Sequence, residues 1–254
     1  MLAAFGLADT EAERLPGGSV WLCGEAALKP VRDRKHAVWL AGVLGRIEVP
    51  ELRIARPMRS TDGRTLIGGW QAYRYLSGTP DVRPDELIRT SLRLHEATAP
   101  LGEKPPVSSR GDLGAAADRL AWGDEETELD EDNGGRWFEV LAGARKPVSL
   151  PDQLVHGHLC GSVLFDEDAS PGIVDFEPYY RPAEWAAAVV AVDVLVAGAA
   201  DAELLRRWSH LPEWPQLLLR AILFRLARHA LYPDSTRETL DGLLQAAHDV
   251  SEML

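Results

Sequence analysis

The sequence has little cysteine and a deficit of basic charge. Cys23 and Cys160 are its only two cysteines. Two thiols so far apart make no disulfide framework, so a reducing, cytoplasmic setting is the expectation. Against 39 Asp and Glu stand 27 Lys and Arg, a net charge of −12. That balance argues against a nucleic-acid or anionic-membrane partner. Long apolar runs are also missing. The longest, Trp185–Ala200, is too short to span a bilayer and carries Asp193 in its middle. Met1–Leu7 is apolar but short, and it lacks the basic leader of a signal peptide. No internal repeat is visible.

What remains is ordinary globular composition, 46% hydrophobic and 26% charged over 254 residues, enough for a substantial core. That length suits one large domain or two lobes around a cleft.

The most informative stretch is Leu154–Tyr180, LVHGHLCGSVLFDEDASPGIVDFEPYY. Two short apolar runs, Ser162–Phe165 and Gly172–Phe176, flank an acidic turn containing Ser, Pro and Gly, which reads as strand, turn, strand. A His156-Gly157-His158 loop precedes the first strand, and Asp175-Phe176 ends the second. Polar groups at the edge of a small buried hairpin are well placed to hold a metal and a reacting group close together.

Upstream, Pro16-Gly17-Gly18-Ser19 precedes a strand pair turning at Cys23–Ala26. Glycines there let backbone N–H groups approach a phosphate, or simply make a turn. Lys29 lies on the second of these strands. A helix is expected over Arg32–Ile47, where no glutamate occurs, and strands over Glu51–Pro57, Leu66–Gly69 and Trp70–Tyr75, with a turn at Asp62-Gly63. Beyond Pro84 the pattern turns helical. It passes through Asp85–Ala97, where His95 reads as structural, and Asp112–Trp122. Next comes an acidic run, Gly123–Gly135, which lacks the register of a calcium loop and reads chiefly as a solvated segment. Then follow Arg136–Ala144, the apolar Glu184–Ala199, Trp214–Leu231 and Thr236–Leu254. On Trp214–Leu231, Arg220, Arg225 and Arg228 fall mainly opposite the apolar side. Asp193 needs a partner, because an unpaired buried carboxylate costs several kcal/mol.

In this order the motifs resemble the aminoglycoside-phosphotransferase-like kinases. Their catalytic loop, roughly His-Gly-Asp-Leu then Gly-Asn-Val-Leu-Phe, is matched by His156-Gly157, Leu159, Gly161 and Val163-Leu164-Phe165. Their Ile-Asp-Phe is matched by Val174-Asp175-Phe176. The run Asp175-Phe176-Glu177-Pro178-Tyr179-Tyr180-Arg181-Pro182 also resembles a family of actinobacterial phosphotransferase-like proteins. Two positions depart: His158 stands where the catalytic Asp belongs and Ser162 where the metal-binding Asn belongs.

The resemblance implies an α+β, bilobal protein-kinase-like fold. Residues 1–78 would form a sheet-rich N-lobe, and residues 79–254 a helical C-lobe carrying the catalytic hairpin. It implies ATP held by Gly17, Gly18, Ser19 and Lys29, with adenine at a hinge near Gln71 and Tyr73, and magnesium at Asp175 with Ser162. His158, Asp175 and Ser162 would be the catalytic positions. Asp193 would accept N–H groups from the catalytic loop; its alternative is a salt bridge to Arg181.

Phosphoryl transfer needs an anionic group to orient the nucleophile and balance the metals. A histidine supplies none, so transfer to a small hydroxylated molecule is expected to be weak or absent. Other readings stand beside this one. His156, His158 and Cys160 alternate, as a three-ligand zinc site would. Cys160 is a conceivable nucleophile beside His158. The protein as a whole is alternatively a non-catalytic protein binding a small molecule or peptide, or a kinase fold repurposed for non-ATP chemistry at His158.

Overall fold

A computed structural model describes residues 1–15, 18–106 and 112–254. In chain order come β1 (Ala12–Arg14), β2 (Trp21–Cys23), β3 (Ala26–Pro30), α1 (Arg34–Leu44), β4 (Arg53–Ile54), β5 (Trp70–Arg74) and β6 (Thr79–Pro80). Then follow α2 (Pro84–Thr98), α3 (Leu113–Trp122), α4 (Gly135–Ala142), β7 (Gln153–His156), β8 (Val163–Asp166), β9 (Ala169–Ile173) and β10 (Pro178–Arg181). The chain ends with α5 (Ala183–Val196), α6 (Ala202–Arg207), α7 (Trp214–Leu231) and α8 (Arg237–Ser251). The chain is α+β, with a sheet-rich N-terminal region and a mainly helical C-terminal part, as expected. No helix among the described residues is long and apolar enough to cross a membrane.

The chain divides into two compact units, the first made of Met1–Asp81, a short piece from Glu103 and Ser162–Asp175. Its antiparallel sheet runs β1-β2-β3-β5. Apolar side chains alternating inward from these strands, Cys23, Ala26, Leu28 and Ala72, pack on Phe5 and Leu7. Asp33 caps α1 by accepting from the His36 N–H at 3.0 Å. The buried Gln71 side chain ties α1 to β5, donating from Nε2 to the Ala37 carbonyl at 2.9 Å. The strand expected over Leu66–Gly69 is replaced by a lone bridge between Ile67 and Trp70. The Asp62-Gly63 turn does form, with Gly63 at φ 84° and Asp62 bound by Ser60 and Arg64.

A second sheet runs β4-β9-β8-β6. The hairpin β8–β9 belongs to this first unit rather than to the helical one. Its β9 lies parallel to β4 with Ile54 opposite Ile173, and its β8 pairs with Thr79–Pro80. Backbone ladders on both edges fix the hairpin's allegiance, and neither edge pairing is written in the local sequence.

The second unit, Val82–Gly102 with Ser108–Gly161 and Phe176–Leu254, is helical around one two-stranded ribbon, β7-β10. Helix α5 is buried from Trp185 to Val192 and packs on α2, α7 and α8. Helix α7 packs on α3, α4, α5 and α8. Trp185, Phe224 and Tyr179 meet edge to face with ring centroids 5.4–5.7 Å apart, a favoured aromatic geometry. Arg220 and Arg225, read from the sequence as the polar side of α7, are both buried.

Candidate functional site

In the first unit, Lys29 on β3 is ion-paired directly with Asp175, which follows β9. Burial pulls the Lys29 ammonium down to about 8. Asp175 itself has φ 51°, a left-handed backbone that costs a non-glycine residue about 1–3 kcal/mol and is retained where the surroundings demand it. Helix α1 contains no glutamate, and the carboxylate that meets Lys29 is that of Asp175.

Register sets Lys29 opposite Gln71 and Ala27 opposite Tyr73. The Lys29 Nζ lies 5.6 Å from the centre of the Tyr73 ring. The Tyr73 hydroxyl donates to Gln71 Oε1 at 2.8 Å, and burial pushes its pKa up to about 12. The side chains of these two residues, at the expected hinge, are thus engaged in positioning α1 and Lys29. The backbone is engaged as well: the Ala72 carbonyl accepts from Met58 N–H, while the Arg74 and Tyr75 N–H groups donate to Arg56 and Glu25 carbonyls.

The described part of the glycine turn, Gly18 and Ser19, lies between β1 and β2 rather than ahead of the first strand, and Pro16 falls outside the described residues. Leu15 N–H donates to the Val20 carbonyl across it, and Arg14 Nε donates to the Gly18 carbonyl at 2.7 Å. Gly18 and exposed Ser19 occupy its second half; Gly17 falls outside the described residues. Ser162 is buried, and its carbonyl accepts from the Val174 N–H, closing the β8–β9 ladder. Asp175, with an exposed carboxylate, suits magnesium, which takes hard oxygen ligands and is commonly held by one or two carboxylates plus phosphates. Bound at Asp175, magnesium would offset phosphate charge.

In the second unit the His-Gly-His loop is held from below by histidines. His95 Nε2 accepts from the His156 N–H at 2.9 Å, so its Nδ1 carries the proton and faces Ser91 Oγ at 3.2 Å. Burial, with the neighbouring His156, pulls the His95 pKa down to about 3. His156 Nδ1 in turn accepts from the N–H groups of His158 and Glu177. Gly157 is needed where it is, because a Cβ there would strike the Tyr179 ring.

His158 is set by Arg225. The guanidinium grips Asp193 through two bonds, Nε to Oδ1 and Nη2 to Oδ2, both 2.5 Å. Its Nη2 also reaches the Gly157 carbonyl and His158 Nδ1, each at 3.3 Å. An arginine only donates, so His158 Nδ1 accepts and its proton sits on Nε2. Burial first, then the Arg225 charge, lowers the His158 pKa against the opposing carboxylates of Asp193 and Glu177. Asp193 therefore supports the loop through Arg225. It neither takes the loop's own N–H groups nor pairs with Arg181, which bonds Asp118 and Asp124 instead.

Glu177 and Arg228 complete the setting. Glu177 Oε1 accepts from Arg228 Nη1 at 3.0 Å and from the Tyr179 hydroxyl at 2.5 Å. Burial pushes the Glu177 pKa up, but Arg228 and Tyr179 more than offset it and hold the carboxyl low. Sequence reasoning missed Arg225, Arg228 and Glu177 as site residues. The signal for Arg225 was Asp193 itself, whose burial demanded a cation.

The zinc reading does not hold: no group of three or more His, Cys, Asp or Glu side chains converges on a metal position among the described residues. In the loop, His156 Nδ1 accepts from the His158 and Glu177 N–H groups and His158 Nδ1 faces Arg225. Nor does Cys160 resemble an activated nucleophile, since burial, then Asp193, pushes its thiol up to about 11. In the acidic run, Asp124 pairs with Arg181 and Glu125 with Arg119, so part of it is structural.

In whole fold the chain is similar to solved structures of aminoglycoside phosphotransferases and choline kinases. An AMP-bound spectinomycin phosphotransferase superposes with a TM-score of 0.63 at 11% identity, covering 98% of this chain and 95% of that one. A choline kinase from Streptococcus pneumoniae gives 0.60 at 9% identity over 98% and 96%. A choline/ethanolamine kinase family protein from Mesorhizobium loti gives 0.55 at 18% identity over 96% and 89%. Neither a protein-family model nor a curated sequence matches the chain. The fold is kinase-like, of the aminoglycoside phosphotransferase and choline kinase type, and at these identities the likeness reaches no further than fold.

Proposed function

We propose that this protein is a nucleotide-binding member of the phosphotransferase fold in which phosphoryl transfer is weak or absent. One observation carries the reading: Arg225 Nη2 donates to His158 Nδ1. The imidazole has one lone pair when neutral, and that lone pair is spent. What His158 offers outward is an N–H donor, where transfer to a hydroxyl calls for an anionic acceptor. Loss of such a group typically costs about 10²–10⁴ in rate.

Nucleotide binding is supported by Lys29 and Asp175, a phosphate-seeking cation beside a magnesium-seeking carboxylate, and by the AMP carried by a structural neighbour. With the Gln71 and Tyr73 side chains and the strand backbone engaged, adenine would be held by the chain just beyond Tyr75. The Asp175–Pro182 run supports kinship with the actinobacterial phosphotransferase-like proteins, and two free thiols suit a cytoplasmic setting.

A second reading, a binding protein whose nucleotide site stays shut, is favoured by the Lys29–Asp175 pair, which nucleotide and magnesium must part. Chemistry at His158 without ATP is supported less, because the same Arg225 bond removes its base.

Calorimetric titration with ATP, with and without magnesium, separates the two favoured readings. Magnesium-dependent heat with no ADP formed is the expected result. Heat in neither condition points to the closed site. Kinase-like turnover on a hydroxylated small molecule would refute the proposal.

A further inference from the structure

The second unit contains a cavity of about 400 Å³, within the size range of small-molecule sites. Its lining includes His158, Arg225 and Arg228, with Thr236 and Thr239 from the start of α8. We propose that this cavity binds a small molecule through an oxyanion, a carboxylate or phosphate ester, gripped by His158 Nε2–H and Arg228. The inference rests on the reading of His158 as a donor given above, and it adds a ligand class.

The donors are built into the fold. His158 turns Nδ1 toward Arg225 Nη2, which leaves its Nε2–H for a ligand. Arg225 is 8% exposed, and its Nη1 makes no hydrogen bond among the described residues. Arg228 spends Nη1 on Glu177 and lies over the Tyr232 ring at 5.2 Å, which fixes the guanidinium plane. Its remaining N–H groups make no other hydrogen bond among the described residues. Thr236 and Thr239 add hydroxyls that share one bond at 2.9 Å.

The carboxylates around these donors do not cancel them. Asp193 is consumed by both of its bonds to Arg225, and Glu177 by Arg228 and Tyr179. Asp234, the remaining carboxylate of the lining, is exposed to water. A ligand that presents only donors, such as an ammonium group, would set donor against donor at His158. An oxyanion accepts from several N–H groups at once, and charge-assisted bonds of that kind are the strong ones.

The test is calorimetric titration of the full chain with inorganic phosphate and, separately, acetate. Binding of either anion is expected. Arg228→Gln should weaken it by about tenfold or more. His158→Asp, which turns the donor into a carboxylate, should abolish it. Lys29→Ala, which disables the proposed nucleotide site, should leave it unchanged. Should Arg228→Gln lose its fold, anion-induced displacement of the His158 Nε2–H resonance in the wild-type protein reports the same contact, and a resonance that stays in place counts against it. Binding that survives His158→Asp but disappears with Lys29→Ala would put the anion at the nucleotide site and overturn the proposal, leaving the nucleotide reading intact. Failure of both anions to bind also overturns it, whatever ATP does.

Discussion

Arg225 and His158 are joined by a hydrogen bond of 3.3 Å from Nη2 to Nδ1, and this contact fixes which imidazole nitrogen carries the proton. Because Arg225 is anchored on Asp193, the helix α5 carboxylate determines the chemistry of a loop that it does not itself bond. The same anchor thus holds in place the partner that makes His158 a donor.

Breaking that anchor should be costly. Asp193→Ala leaves a buried guanidinium without its carboxylate, and loss of one partner from a buried pair costs about 3–5 kcal/mol. Urea unfolding should show this loss. The double change Asp193→Leu, Arg225→Met should lose less, because no charge is stranded.

His95 makes stability depend on acid. Its folded pKa, about 3, lies below the ordinary histidine value of 6.5, so between those values the unfolded chain binds more protons. The stability contributed by neutral His95 is complete above 6.5 and is lost as pH falls toward 3. His95→Gln should start less stable at pH 7 and show a shallower decline over that window in thermal melts.

Lys29 should give nucleotide binding an alkaline limit. With its pKa near 8, the ammonium is present below that pH and fades above it. ATP affinity should therefore fall as pH rises past 8. Lys29→Arg, whose guanidinium stays charged, should flatten that profile, and Lys29→Ala should remove most of the affinity at every pH. Calorimetry from about pH 7 to well above the lysine's pKa checks all three.

Gly157 is required by contact rather than by backbone conformation. Gly157→Ala would drive its methyl into Tyr179, whose ring is locked against Trp185 and Phe224. Overpacking of this kind costs about 1–3 kcal/mol. A lowered melting temperature with far-ultraviolet dichroism unchanged is the expected outcome.

Much of this was legible in the sequence. The order of glycine turn, strand lysine, helical half and Asp-Phe pointed to the fold, because local patterns follow backbone preference. His95 was read as structural, and it does support the loop by accepting from the His156 N–H. Other features were not legible, for a shared reason. That β8–β9 joins the N-terminal sheets depends on β4 and β6, which lie far away in the chain. The burial of Arg225 depends on Asp193, on another helix. By spacing alone, Arg225 sits on the polar side of α7. Only packing shows that this side faces the loop.

The most direct test is long-range proton–nitrogen correlation of the histidine side chains at pH 7, with His158 assigned by its loss in His158→Gln. The expected result is a neutral imidazole protonated at Nε2. Arg225→Met, if folded, should release the ring to a mixture of tautomers. A His158 protonated at Nδ1, or an imidazolium at pH 7, would contradict the donor role assigned to this ring and return a base or an acid to the loop.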